Sequence, residues 1–275
     1  MPHNATQGLS GYSMVLPLLP ARSDAPGGAA VDGGIFGTCF SIGGPFMLTA
    51  GHVAATAPFE ANRRLIAAIQ TPDGMAFKAA EVVQCEQLTA DIGLLKVQFH
   101  YPESASWIRR LAWSERHLLP FEVVRTAGYP YGLHITEEHG NALVVRGFQG
   151  QVVASIQHFK PQGMKGPLFA IYELSFMAPR GLSGAPLMNA NGVPVVHGVV
   201  IGNSESKMLV FRSEERETEK EESEQEKKEK TSSFEQYEAL SLGIAVTAAQ
   251  VFALESKMLG GTVRQHLSTQ GLLQA

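Results

Sequence analysis

From Ile35 onward the chain alternates short apolar, β-branched and aromatic runs with clusters of Gly, Pro, Asn and Asp. Runs this short have the length of strands rather than of amphipathic helices. Residues 36–42 and 46–49 flank Gly43-Gly44-Pro45 and predict a hairpin. Residues 65–70 and 76–83 flank Thr71-Pro72-Asp73-Gly74 and predict another, and 92–99 predicts a further strand with Asp91 at its entry. Residues 100–120 hold Trp107 and Trp113 and read as a connector, after which strands are predicted at 122–127, 142–147, 151–156, 168–176, 193–201 and 242–246. Many short strands punctuated by Gly and Pro favour a sandwich or barrel. Thr247-Ala248-Ala249-Gln250 has a capping-box pattern, so a closing helix is predicted over 247–259 with Gly260 ending it.

Three stretches fall outside the strand pattern. Residues 1–34 are rich in Gly, Pro, Ala and Ser without periodicity, which predicts an arm lying over the fold or a disordered one, and 261–275 reads as a tail. An insertion at 204–236 separates two predicted strands. Within it, 214–230 is almost wholly Glu, Lys, Arg, Ser, Thr and Gln. With no apolar residue to bury, that run predicts a mobile, solvated spacer, and Glu224/Lys228 and Glu226/Lys230 have the spacing that supports a surface helix. A regulatory lid or a docking site for a regulatory partner is the alternative reading of the insertion.

Composition narrows the class. A chain of 275 residues with 44% hydrophobic content can bury one large β domain or two small barrels. A net charge of −4 gives no electrostatic reason to expect nucleic acid or an anionic membrane. The apolar stretch at 14–19 has no preceding Lys or Arg and is interrupted by Pro17, so it is a poor signal peptide, and no apolar run is long enough to span a bilayer. The two cysteines, Cys39 and Cys85, allow at most one disulfide and read as buried thiols. Together these features predict a cytoplasmic protein.

The chemistry-bearing segments come in a fixed order. Pro179-Arg180-Gly181-Leu182-Ser183-Gly184-Ala185-Pro186 frames a serine between glycines; Leu48-Thr49-Ala50-Gly51-His52-Val53 lies upstream and Ala90-Asp91-Ile92-Gly93-Leu94-Leu95 between. Amide hydrolysis by serine needs a base for the hydroxyl proton, an acid that fixes the base's tautomer, and donors aimed at the developing oxyanion. His52, Asp91 and Ser183 supply the three side chains, and the N–H groups of Gly181 and Ser183 are the candidate oxyanion donors. Singly, each is an ordinary turn or half-buried residue; their joint order is the signal. His134 and His139 superficially suggest a zinc site, but they stand five apart, and ligands on one helix face need a spacing of four.

These segments, with Gly37-Thr38-Cys39-Phe40-Ser41-Ile42 and Ala127-Gly128-Tyr129-Pro130, resemble the trypsin-like peptidase superfamily. They are most similar to its high-temperature-requirement branch and intracellular bacterial relatives, without the PDZ domain, since no region of that size follows residue 260. The resemblance spans roughly 35–255. It implies an all-β fold of two six-stranded antiparallel barrels, one at about 35–105 and one at about 120–246, inside a peptidase domain at 35–260. It also implies a cofactor-free, metal-free serine endopeptidase acting on proteins or peptides through an acyl-enzyme. By the same resemblance, Met177 is the base of the specificity pocket, Asn203 and Gly243 are its walls, and Val199, Val200, Ile201, Gly202 and Asn203 pair with substrate backbone. Met177 carries no charge to hold Lys or Arg, so cleavage after small to medium apolar residues is expected. Leu182 stands where zymogen-activated members carry Asp, and Val53 stands where secreted members carry a disulfide cysteine. A silent pseudo-protease serving as a peptide-binding or scaffolding module, and a viral-type processing protease, are the competing readings.

Overall fold

The computed structural model describes residues 14–22, 30–31, 34–56, 63–74, 76–130, 133–136, 140–160, 166–219 and 228–274. The first half of the chain forms β1 (Leu16–Arg22), β2 (Ala30–Val31), β3 (Gly37–Gly43), β4 (Phe46–Ala50), the short helix α1 (Gly51–Ala55), β5 (Arg63–Gln70), β6 (Phe77–Gln87) and β7 (Ile92–Phe99). Strands β1-β3-β4-β7-β6-β5 lie in that order and close through β1–β5, giving a six-stranded barrel with β2 added at β1. Its interior holds fully buried Phe40, Ile42, Leu48, Leu65 and Leu94.

The second half forms β8 (Ala112–Ser114), β9 (Val123–Gly128), β10 (Leu133–Thr136), β11 (Gly140–Leu143), β12 (Arg146–Phe159), β13 (Phe169–Leu174), β14 (Pro186–Asn189), β15 (Val195–Glu219) and β16 (Lys228–Thr247). Strands β14-β9-β12-β13-β16-β15 close through β14–β15 into a second six-stranded barrel. Val124, Val152, Leu174, Leu187 and Val200 fill it. The expected double antiparallel barrel is therefore the fold.

Four expectations are corrected. Leu16–Arg22 is no surface arm: all but its last residue are buried, and it is a strand of the first barrel. Pro17 and Pro20 are compatible with this because β1 pairs with β3 over Leu16–Leu18 and with β5 over Leu18–Arg22. Each proline thus has a single partner strand and is edge-like, the situation in which a missing N–H is tolerated. The run at 142–147 is not one strand, since β11 ends at Leu143 and β12 begins at Arg146.

The closing helix predicted to 259 is only α2 (Ala248–Phe252), capped by Thr247 accepting from the Gln250 N–H. Glu86 halts it. Its carboxylate accepts from Ser256 Oγ and from the Lys257 and Met258 N–H groups, which fixes β17 (Glu255–Ser256) in extended form. The expected tail is ordered as β18 (Gly261–Thr262), α3 (Val263–Thr269), with a complete Thr262/Gln265 capping box, and β19 (Leu273–Gln274), which runs parallel to β8. The insertion is described in part. Where described, residues 204–219 and 228–241 belong to β15 and β16, and Ser204–Ser241 is a compact unit of its own; Glu224 and Glu226, on which the surface-helix expectation rests, lie outside the described residues.

Among the described residues no helix is long and apolar enough to cross a membrane. Cys39 and Cys85 are free thiols. Burial raises both, Cys85 to about 11 and Cys39 further, so neither is a thiolate at neutral pH. His134 lies on β10, and His139 is outside the described residues.

Candidate active site

His52 sits in the first turn of α1, a helix whose N-cap, Ala50, offers no side-chain acceptor. Asp91 replaces the missing cap. Its carbonyl accepts from the Gly51 N–H at 2.7 Å, and its Oδ1 accepts from the His52 N–H at 2.8 Å. The other oxygen, Oδ2, lies 2.8 Å from His52 Nδ1. One buried carboxylate, 6% exposed, therefore holds both the backbone and the ring of a half-exposed histidine. That arrangement fixes the tautomer with the proton on Nδ1 and leaves Nε2 as the basic nitrogen. Gly51 makes it possible, because a Cβ there would lie 2.8 Å from Asp91 Oδ1.

Asp91 reaches this position on a tight turn. Ala90 and Asp91 both have left-handed backbones, with φ of 59° and 54°, and the Ile92 N–H returns to the Thr89 carbonyl. Two left-handed central residues define a type I′ hairpin turn, here linking β6 to β7. Asp tolerates that conformation; Ala does not do so readily.

Ser183 is the second residue of the later of two consecutive turns, 179–182 and 182–185. The Leu182 N–H bonds to the Pro179 carbonyl and the Ala185 N–H to the Leu182 carbonyl, with left-handed glycines third in each turn, Gly181 at φ 98° and Gly184 at φ 90°. A type II turn requires such a residue at that place. Leu182 N–H and Gly184 N–H are thereby used within the protein, the latter on the Val200 carbonyl. Among the described residues the N–H groups of Gly181 and Ser183 have no acceptor. Ser183 is half-buried, and no hydrogen bond joins its Oγ to His52 among the described residues. Catalytic hydrogen bonds of this kind commonly tighten only when substrate binds.

The two barrels meet at Thr38, a residue quoted in the sequence pattern without a role. Fully buried, it donates its hydroxyl to the Gly181 carbonyl at 2.8 Å and accepts from the Tyr129 N–H at 3.1 Å. Its own N–H donates to the Ser183 carbonyl at 2.8 Å, and its carbonyl accepts from Thr49 Oγ1 at 2.8 Å. Barrel-one residue Thr38 thus grips the Ser183 loop at two carbonyls. A Cβ on Gly181 would fall 2.5 Å from the Tyr129 carbonyl oxygen, so this loop excludes side chains as well as demanding a left-handed residue.

The expected specificity residues are placed unevenly. Asn203 and Gly243 are both tied to the segment around Met177: the Asn203 carboxamide accepts from the Ala178 N–H at 2.7 Å and donates to the Ala178 carbonyl at 3.0 Å, while the Gly243 N–H donates to the Phe176 carbonyl. Met177, held between these ties, is 57% exposed and does not form an enclosed base. Val199 and Val200 are fully buried, and both peptide groups of Val200 are bonded to Gly184 and Ala185. They are spent inside the barrel, which corrects the expectation that these two pair with substrate backbone; Ile201 is buried as well.

Residues 37–196 match the family described as the trypsin-like peptidase domain, more than half of the chain. In fold, the chain is similar to the crystal structure of an inactive serine-to-alanine mutant of Rv3671c from M. tuberculosis H37Rv. That likeness has TM-score 0.50 and 17% identity, covering 98% of this chain and 91% of that one. The MamO protease domain from Magnetospirillum magneticum in its apo form aligns with TM-score 0.48 and 17% identity, covering 88% of this chain and 95% of that chain. No curated protein matches the sequence.

Proposed function

The chain belongs to the trypsin-like peptidase family, and from that premise we propose that it is a serine endopeptidase working through an acyl-enzyme. The observation that carries the proposal is the Asp91 carboxylate bound to both the ring and the backbone N–H of His52. In this reading Ser183 Oγ attacks the scissile carbonyl and His52 Nε2 takes its proton. Asp91 holds the imidazole and stabilises the imidazolium, and the Gly181 and Ser183 N–H groups receive the oxyanion. His52 then returns the proton to the leaving amine, and water repeats the sequence on the acyl-enzyme.

Met177, Asn203 and Gly243 bring no charge to the specificity region, which supports cleavage after small to medium apolar residues. The two free thiols support an intracellular setting. A second reading, a silent relative that binds peptides without cutting them, is favoured by the absent Ser183–His52 bond. A fluorophosphonate probe separates the two. Attachment at Ser183, located by mass spectrometry and lost in Ser183→Ala together with about 10⁶ in kcat, is expected of the peptidase. An unlabelled, folded protein would leave only the binding module. Terminal sequencing of digested proteins checks the preference, and cleavage after Lys or Arg would refute it.

A further inference from the structure

The outward face of β9 and β12 carries two features that the proposed reaction does not use. The first is a concavity of about 850 Å³ lined by Arg109, Arg125, Gln149, Phe148, Met188 and Val193, a size in the range of ligand-binding clefts. Arg125 is oriented by one bond to the Gly192 carbonyl at 3.3 Å. Neither arginine has a carboxylate partner among the described residues. Two guanidinium groups without a carboxylate partner make this partly apolar hollow electropositive, which favours an anionic occupant.

The second feature is an apolar ridge beside it. Leu119, Phe121, Val123 and Val153 are 61%, 80%, 41% and 44% exposed. Phe121 has a left-handed backbone, φ 72°, third in a turn where the Glu122 N–H returns to the Leu119 carbonyl. A glycine would take that place without strain. The turn is nonetheless rigid. Arg116 binds Glu122 with both guanidinium nitrogens, Glu122 also accepts from the Leu119 N–H, and the Phe121 N–H is tied to the Val152 carbonyl. An exposed aromatic held in a strained conformation by so many bonds is a displayed side chain.

The register joins the two features. Val123 faces Gln151, Arg125 faces Gln149 and Ala127 faces Gly147, while Val124 and Thr126 between them point into the barrel. Ridge and hollow therefore lie along one sheet face, with Val123 and Arg125 about 7 Å apart on a single strand.

We propose that this face is a docking groove for an extended polypeptide segment whose acidic side chain seats between Arg109 and Arg125 and whose large apolar residue, a few positions along, covers Phe121. Charge complementarity selects the acidic residue, and the exposed ridge selects its apolar companion. A polypeptide fits better than an anionic lipid surface, because the arginines line a hollow and a bilayer presses on convex ground. The inference does not depend on peptidase activity.

The test uses the full chain carrying Ser183→Ala, so that bound peptides survive. Random octapeptides displayed on phage are selected on it, and the best are measured by fluorescence anisotropy. Enriched sequences are expected to carry Asp or Glu two to four residues from Leu, Phe or Met. Combined Arg109→Glu and Arg125→Glu should weaken them at least tenfold, and Phe121→Gly about fivefold without lowering the thermal midpoint. Affinity should fall as salt rises from 50 to 500 mM. No enrichment, enriched peptides without an acidic residue, or binding indifferent to these variants would overturn the groove. So would binding of phosphatidylserine vesicles in place of peptides.

Discussion

The turn at 179–182 and the turn at 119–122 use the same backbone device with opposite residue choices. Each places a left-handed residue third, Gly181 in one and Phe121 in the other. At Gly181 the proposed working part is the peptide N–H, a Cβ would strike the Tyr129 carbonyl, and glycine adopts the conformation without strain. At Phe121 the ring stands in solvent and the left-handed backbone costs about 1–2 kcal/mol. Glycine serves where the backbone is the instrument, and strain is retained where a side chain must be presented. The turn at 89–92 lies between these cases, because Asp91 contributes its carboxylate and its carbonyl together.

If Asp91 acts through its side chain, Asp91→Asn should preserve the turn yet reverse the imidazole tautomer. We expect a loss of about 10⁴ in kcat with the thermal midpoint little changed. A fall of less than tenfold on a fluorogenic peptide would reduce Asp91 to a helix cap. At Gly181 the backbone is at stake, so Gly181→Ala should cost about 10²–10³ in kcat by displacing an oxyanion donor. Full activity there would show that the loop's shape is not the instrument.

Thr38 sharpens the comparison, because it holds the Gly181 carbonyl from the other barrel. Thr38→Ala removes a donor to Gly181 and an acceptor for Tyr129, with an expected loss of about 10- to 100-fold, the equivalent of one or two hydrogen bonds. If Thr38 positions the hole, the loss falls on kcat with KM nearly unchanged, and Thr38→Ser restores most of it. A purely structural role would instead lower the thermal midpoint and leave kcat per folded molecule intact.

The local frames of His52, Asp91 and Ser183 are legible in the sequence as turn chemistry: Gly51 beside the carboxylate, a turn before β7, and glycines around the serine. Thr38 was not, since its role exists only through a contact to a residue 143 positions away. The same holds for Arg109 and Arg125, which line one hollow although they stand on different segments of the chain. Pro17 and Pro20 hid β1, because a proline argues against a strand unless the strand changes partners partway, and one-dimensional pattern does not show partners. The closing helix was overextended for a related reason: Glu86, far upstream, captures Ser256 and stops it. Local pattern exposed the strands and the resemblance the double barrel, while long-range hydrogen bonds decided where elements end and which residues meet.

The smallest effect concerns stability and places two strained turns side by side. Replacing a left-handed non-glycine by glycine relieves about 1–2 kcal/mol of strain but adds unfolded-state entropy of roughly 0.5–1 kcal/mol. At Phe121 little else is lost, since the ring is 80% exposed, so Phe121→Gly should stabilise by up to about 1 kcal/mol. At Ala90 the methyl is 6% exposed in the core, and losing it costs about a further 0.8 kcal/mol, so Ala90→Gly should be close to neutral. With about 2–4 °C per kcal/mol for a domain of this size, calorimetry should see a small rise for Phe121→Gly and almost none for Ala90→Gly. Peptide hydrolysis should be unchanged in both, because neither removes a group from the site. If Phe121→Gly lowers the midpoint, the ring is a structural element of its turn, and the contrast with Gly181 no longer holds.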